Sequence, residues 1–124
     1  MAVVNPTITY PNGDTSVIKV VWAAMANGDT GAPFKLAQWA DRSVHVYGTF
    51  GAGGTMILKG SNNDGTSYIA LTEPQGNAIS KTAESIEAIT EIVEKVRPEI
   101  TAGDGTTAIT VSLFARRSDM SRSR

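Results

Sequence analysis

Short stretches of alternating apolar and polar residues fill this chain, separated by turns rich in Asn, Asp and Gly. Residues 16–23 carry Val17, Ile18, Val20, Val21 and Trp22, the β-branched and aromatic bulk that suits a pleated surface. Over 43–48 the period of two is clean, with Val44 and Val46 on one side and His45 and Tyr47 on the other. Residues 55–60 form a further run, and 67–72 another in which Tyr68 opposes Ile69 and Leu71. Over 107–115, Ile109, Val111 and Leu113 share one face; Thr110, Ser112 and Phe114 share the other. The punctuation is regular too: "PNGDT" at 11–15, "NGDTG" at 27–31, "GAGG" at 51–54, "NNDGT" at 62–66 and "AGDGT" at 102–106. Strands at this spacing, joined by Asn-Gly and Asp-Gly turns, predict an all-β fold, an antiparallel β-sandwich or jelly roll. A parallel sheet would need helical crossovers, for which there is little room.

One segment departs from this rhythm. Ile86, Ile89, Val93 and Val96 fall at helical spacing, with Glu84, Glu87, Glu91 and Glu94 around the other side and Thr82 placed to cap. The pattern predicts a short helical turn over 83–90 leading into an irregular strand. Residues 92–100 also read as a strand, which Pro98 would confine to an edge or a bulge. Around the sandwich, assigned to residues 12–115, two extended terminal arms are expected: residues 1–11 and a basic tail over 116–124.

The length of 124 residues is one domain's worth, and a domain of this size buries roughly two-thirds of its unfolded surface. There is no cysteine, which excludes a disulfide scaffold or a thiolate metal site and fits a reducing cytoplasm. The opening Met-Ala-Val-Val is too short for a signal core, and no apolar run approaches the roughly 20 residues of a membrane span. A soluble chain without a membrane partner is expected. Its net charge of −1 is unevenly distributed: the last nine residues hold four arginines against Asp119, about +3, leaving about −4 elsewhere. Nucleic acid is not an expected partner, because such binding needs many phosphate contacts on one face. A short arm docking on an acidic neighbour fits better.

Candidate chemistry is sparse. An EF-hand loop needs oxygen donors at alternating positions, yet in "NNDGTSYIALTE" the middle is Tyr68 and Ile69. The second Asp-Gly-Thr, at 104–106, has one carboxylate and no distal acid. Ordinary reverse turns account for both, since Asn and Asp tolerate the left-handed region and Gly supplies it freely. "GAGG" lacks the Lys-Ser/Thr of a phosphate loop. The single histidine, His45, has no cysteine to partner it, and Asp14, Asp29, Asp64 and Asp104 all sit in turns. No enzyme, cofactor or metal ion is expected. Trp22 reads as core; Trp39, between Ala37 and Ala40 beside polar residues, is expected to be partly exposed and available to an interface.

From residue 22 to 117, roughly four-fifths of the chain, the sequence resembles the head decoration or cement proteins of tailed bacteriophages. The resemblance is carried by Trp22, "NGDTGAPF" at 27–34, "ADRSVHVYGTF" at 40–50, "GSNNDGTSYIALTEPQGNAI" at 60–79 and "VRPEITAGDGTTAITVSLFARR" at 96–117. It implies a jelly roll made in the bacterial host and carried on the outer surface of the virion. There it would bridge copies of the major capsid protein, often as a dimer or trimer. The candidate contacts are then Trp39, the N-terminal Val3, Val4 and Tyr10, and the C-terminal Arg116, Arg117, Arg122 and Arg124. The same turn order is also similar to galactose-binding-type jelly rolls, which implies a glycan-binding or baseplate and tail module instead. Against that stands Tyr68, where those modules often carry Trp, and the lack of a His/Arg/aromatic sugar constellation.

Overall fold

The computed structural model describes residues 2–117. Among them lie twelve strands and no helix. They are β1 (Val3–Val4), β2 (Thr7–Thr9), β3 (Val17–Met25), β4 (Thr30–Gly31), β5 (Phe34–Lys35), β6 (Trp39–Thr49), β7 (Thr55–Ser61), β8 (Ile69–Ala70), β9 (Ser80–Lys81), β10 (Ser85–Ala88), β11 (Lys95–Ala102) and β12 (Ala108–Arg117). One sheet runs β1-β4-β11-β7-β8, with β5 also on β11 and β9 also on β7; the other runs β10-β6-β12-β3-β2. Pairing is antiparallel apart from β1 with β4. The result is the sandwich that the alternation predicts. Residues 3–4 and 7–9 of the N-terminal segment lie along its body, one strand at an edge of each sheet.

The inward-facing residues of the two sheets form one core. Ile18, Val20, Trp22, Val44, Val46, Ile109, Val111 and Leu113 come from the second sheet, Met56, Leu58, Val96 and Ile100 from the first. Trp22 is fully buried, and its indole N–H donates to the Ala32 carbonyl at 3.0 Å, so its one polar atom is satisfied. Gly31 lies against it: a Cβ there would come within 2.7 Å of Trp22 Cδ1 and 2.6 Å of Pro98 Cδ.

Two bulges change the phase of the alternation. On β3 the register shifts between its partners Ile109 and Val111, and Ala24 has φ of 51°. The extra residue lets both Trp22 and Met25 face the core. On β6 the shift falls between partners Phe114 and Arg116, with Asp41 at φ 49°. The slip turns Trp39 inward, on the same side as Arg42, Val44 and Val46, which follow the regular alternation.

The segment 83–90 is not helical. Its centre is the edge strand β10, paired with β6 from Ser85 opposite Val46 to Ala88 opposite Ser43. A helix would bury Ile86 with Ile89; instead Ile86 is 63% exposed while Ile89 is in the core. Eight residues of helix are marginal in water, and the open edge of β6 supplies backbone partners that such a helix would lack. Pro98 also departs from expectation, because β11 lies inside its sheet rather than at the edge. Its partner Leu58 directs its N–H to Ile79 and its carbonyl to Leu71, away from β11. On the opposite side Pro98 falls in the gap between β5, which pairs at Val96, and β4, which pairs at Glu99. The missing N–H is asked for by neither neighbour.

Candidate interaction surfaces

The polar loops come first, because their chemistry decides whether they are sites. In the turn 62–66, Asp64 sits at φ 60°, and its carboxylate accepts from Lys95 Nζ at 2.9 Å. That bond holds the carboxyl below its usual range. Asn62 accepts from the Glu94 N–H at 2.8 Å and Glu94 accepts from the Asp64 N–H at 3.0 Å, tying the turn to the start of β11. In the second turn Asp104 accepts from the Ala52 N–H, the Thr106 N–H and the Thr106 hydroxyl at 2.9, 2.9 and 2.7 Å. The Ala52 amide contributes most to bringing its pKa down to about 2. Gly51 makes this approach possible, with φ of 70° and a Cβ position 2.4 Å from Asp104 Oδ1. Both Asp-Gly-Thr loops therefore use their carboxylates to fasten chain to chain. No group of three His, Asp or Glu side chains is placed to hold a metal ion among the described residues.

Arg42 was not singled out by sequence reasoning. It is 8% exposed, and its guanidinium donates to the carbonyls of Trp39 (3.2 Å), Ile89 (3.4 Å) and Glu91 (2.8 Å). Burial lowers its pKa, partly offset by Asp41 and Glu91. Glu91 in turn accepts from the Thr72 N–H (2.8 Å) and hydroxyl (2.5 Å); burial raises its carboxyl, but these bonds outweigh it and leave it lowered. The side chain is thus a staple holding residues 89–91 against β6.

The two outer sheet faces differ in kind. On the first, Glu99 bridges Lys59 (3.0 Å) and Arg97 (2.8 Å), and the Arg97 guanidinium stacks 3.8 Å above the Tyr68 ring. Burial raises the Glu99 carboxyl, while hydrogen bonds from Lys59 and Arg97 more than offset it and hold it low. This face is a lattice of opposite charges. On the second, the middle of the face presents Ile86, Val21, Tyr47 and Phe114 among serines and threonines. Its charged groups are Lys19, the pair His45–Glu84, 3.0 Å apart, with the His45 ring 4.7 Å from that of Tyr47, and, beyond Phe114 at one end, the ion pair Arg116–Asp41. Phe114 is 42% exposed.

Two clefts open beside these faces. One of about 340 Å³ lies between β2 and residues 34–39, lined by Ile8, Tyr10, Ile18, Phe34, Gln38 and Trp39 among others. Another of about 410 Å³ lies beside β8, with Leu71 and Val93 among its apolar walls and Asn63, Ser67 and Glu91 among its polar ones. In the second cleft Ser61, Asn63 and Ser67 already bond to one another.

The expected contact residues are distributed around the molecule. Trp39 is a correction: it is 5% exposed and belongs to the core, because the bulge at Asp41 places it with Arg42 on the inner side of β6. It forms part of the wall of the smaller cleft, which brings it together with Tyr10. In the ladder Arg117 pairs with Trp39, and its guanidinium donates to Thr15 Oγ1 at 3.1 Å. Arg116 is ion-paired with Asp41. Val3 is exposed and Val4 packs against the core, at the far edge of the first sheet. Arg122 and Arg124 lie outside the described residues. The exposed Ile69, Ile86, Ile92 and Phe114 were missed; for Phe114 the signal was present, since alternation puts it on the outward face of β12.

No protein-family model matches this chain, and no curated protein is detectably similar in sequence. Among solved structures, the crystal structure of the SPBc2 prophage-derived protein YomS superposes with a TM-score of 0.60 at 14% identity, covering 82% of this chain and 96% of YomS. A carbohydrate-binding module (CBM6cm-2) from Cellvibrio mixtus lichenase 5A, in complex with cellotriose, covers 93% of this chain and 86% of its own at 14% identity. Its TM-score of 0.33 is too low to carry an argument. What this chain shares with YomS is the fold, over about four-fifths of this chain and nearly all of YomS.

Proposed function

We propose that this chain is a structural virion protein, a decoration or cement protein that binds the outer surface of a phage head and bridges major capsid protein subunits. One observation carries the reading. The polar side chains of the loops are engaged in holding the frame together, while Val3, Ile69, Ile86, Ile92 and Phe114 stand outside the core. A frame closed in this way is built for adhesion rather than turnover. The likeness to a prophage-derived protein supports a phage setting. Modest contacts suffice for the task, since about 800 Å² per partner is typical of a specific interface and repetition around a shell multiplies its effect. The protein acts without catalysis, cofactor or metal. The test is to mix purified protein with expanded, undecorated heads and sediment them. Co-sedimentation that weakens when residues 116–124 or the first ten are removed, with the domain still folded, supports the reading.

A second reading, a glycan-binding or baseplate and tail module, is favoured by the cleft that Tyr10, Phe34 and Trp39 line with Gln38. Aromatic walls with a few polar groups are the chemistry that holds a sugar ring. Tryptophan fluorescence that changes on adding oligosaccharides, or tail localisation on labelled virions, would support this reading instead.

A further inference from the structure

We propose that the outer face of the second sheet is the contact between two copies of this chain, packed face to face about a twofold axis with their strands nearly perpendicular. The observation behind it is the self-complementary arrangement of side chains on that face.

The strand registers place the outward residues on a grid. Ile86, His45, Ser112, Val21 and Thr7 form one transverse row across β10, β6, β12, β3 and β2. Phe114 and Lys19 stand in the next row on one side, and Tyr47 in the next row on the other. Glu84 precedes β10 and reaches His45 from the Tyr47 side. Strands are about 4.8 Å apart, and alternate residues along a strand about 6.8 Å apart.

On this grid Glu84 stands at one corner and Lys19 diagonally across from it, one strand in from the β2 edge. A twofold axis lying in the interface, along the other diagonal and midway between these two residues, exchanges them. Lys19 of each copy then meets Glu84 of the other. The same operation brings Phe114 to within about 3 Å, in the plane of the grid, of the position facing Ile86, and Val21 over Tyr47 by a similar margin. His45 and Ser112 fall near the axis. One operation thus pairs the aromatic groups with aliphatic ones and the cation with an acid, as an isologous contact requires. It also crosses the strands near 90°, one of the two geometries that packed sheets adopt.

On the first sheet both the cations and the acids are joined within one copy, whereas on the second Glu84 meets only the exposed His45, 3.0 Å away, and Lys19 makes no ion pair among the described residues. Size fits as well. Five strands by three rows give about 500 Å² of planar face, at the small end of specific interfaces, whose norm is about 800 Å² per partner. A reversible dimer follows, one that repetition on a surface would strengthen.

The proposal is independent of the capsid reading, because it is tested on purified protein with no heads present. Sedimentation velocity over a range of concentrations should show a monomer–dimer equilibrium for the wild type. Phe114→Asp should raise the dissociation constant at least about tenfold, as expected for an apolar group central to an interface. Circular dichroism of the same sample establishes that the monomer is folded. Lys19→Glu and Glu84→Lys should each weaken the dimer, and the Lys19→Glu/Glu84→Lys double variant should recover it, a readout that misfolding cannot mimic. A wild type that stays monomeric at all concentrations overturns the proposal. So does a Phe114→Asp variant that dimerises as tightly as the wild type, for the contact then lies elsewhere. A double variant as weak as the worse single one overturns the twofold pairing.

Discussion

Replacing Arg42 by methionine isolates a charged side chain folded in beside the core residues Trp39 and Val44. Methionine keeps most of the apolar stem but none of the donors. Three carbonyls, on Trp39, Ile89 and Glu91, lose the guanidinium that now serves them. At about 1 kcal/mol net for each such bond, the expected loss is about 3 kcal/mol. Relief of the charge's desolvation works in the opposite direction, but it cannot supply donors to the carbonyls left behind. For 124 residues the unfolding entropy is about 0.26 kcal/mol per degree, so the midpoint should fall by about 11 °C. Circular dichroism melts measure that fall. Hydrogen exchange locates it: the Ile89 amide, which donates to the Arg42 carbonyl at 3.0 Å, should lose protection before the amides of β12. A variant that melts within about 2 °C of the wild type, with Ile89 still protected, would refute the staple.

Other outcomes follow from the loops. Gly51→Ala places a Cβ against Asp104 at a positive φ and should destabilise the fold by more than 1 kcal/mol, read by urea titration. Asp104→Asn should lower the melting midpoint at neutral pH. Because the folded carboxyl titrates at about 2, below its ordinary value, its contribution is complete above about pH 4 and is lost as pH falls through 2. The midpoints of wild type and variant should therefore converge near pH 2, and a gap that is independent of pH would contradict the assignment. Millimolar calcium, or a chelator, should leave the melting midpoint unchanged, since Asp64 is held by Lys95 and Asp104 by amides; a rise on adding calcium would mean a bound ion.

The long strands were legible because burial on one face imposes a period of two, as in Val44 and Val46 or Ile109, Val111 and Leu113. What escaped reading has physical causes. The bulges at Ala24 and Asp41 shift the phase of the alternation, so Met25 and Trp39 turn inward where a strict period would leave them out. Residues 83–90 satisfy a helical spacing locally, but the decision was made by the open edge of β6, which is distant in sequence. β4 and β5 are two residues each, too short to leave a pattern, and they exist because β11 offers them partners on either side of Pro98. The surfaces were less legible still. Tyr10, Phe34 and Trp39 share a cleft only because separate strands converge, and the twofold pattern on the second sheet emerges only once β3, β6, β10 and β12 are in register.

Adhesion to a capsid shell is most directly measured on assembled particles. Expanded heads lacking this protein, incubated with the purified chain and imaged by electron cryo-microscopy, should gain regular density on their outer surface, each lobe lying over contacts between capsid subunits. Heads that come through the same incubation bare, beside a protein shown to be folded, would contradict the account.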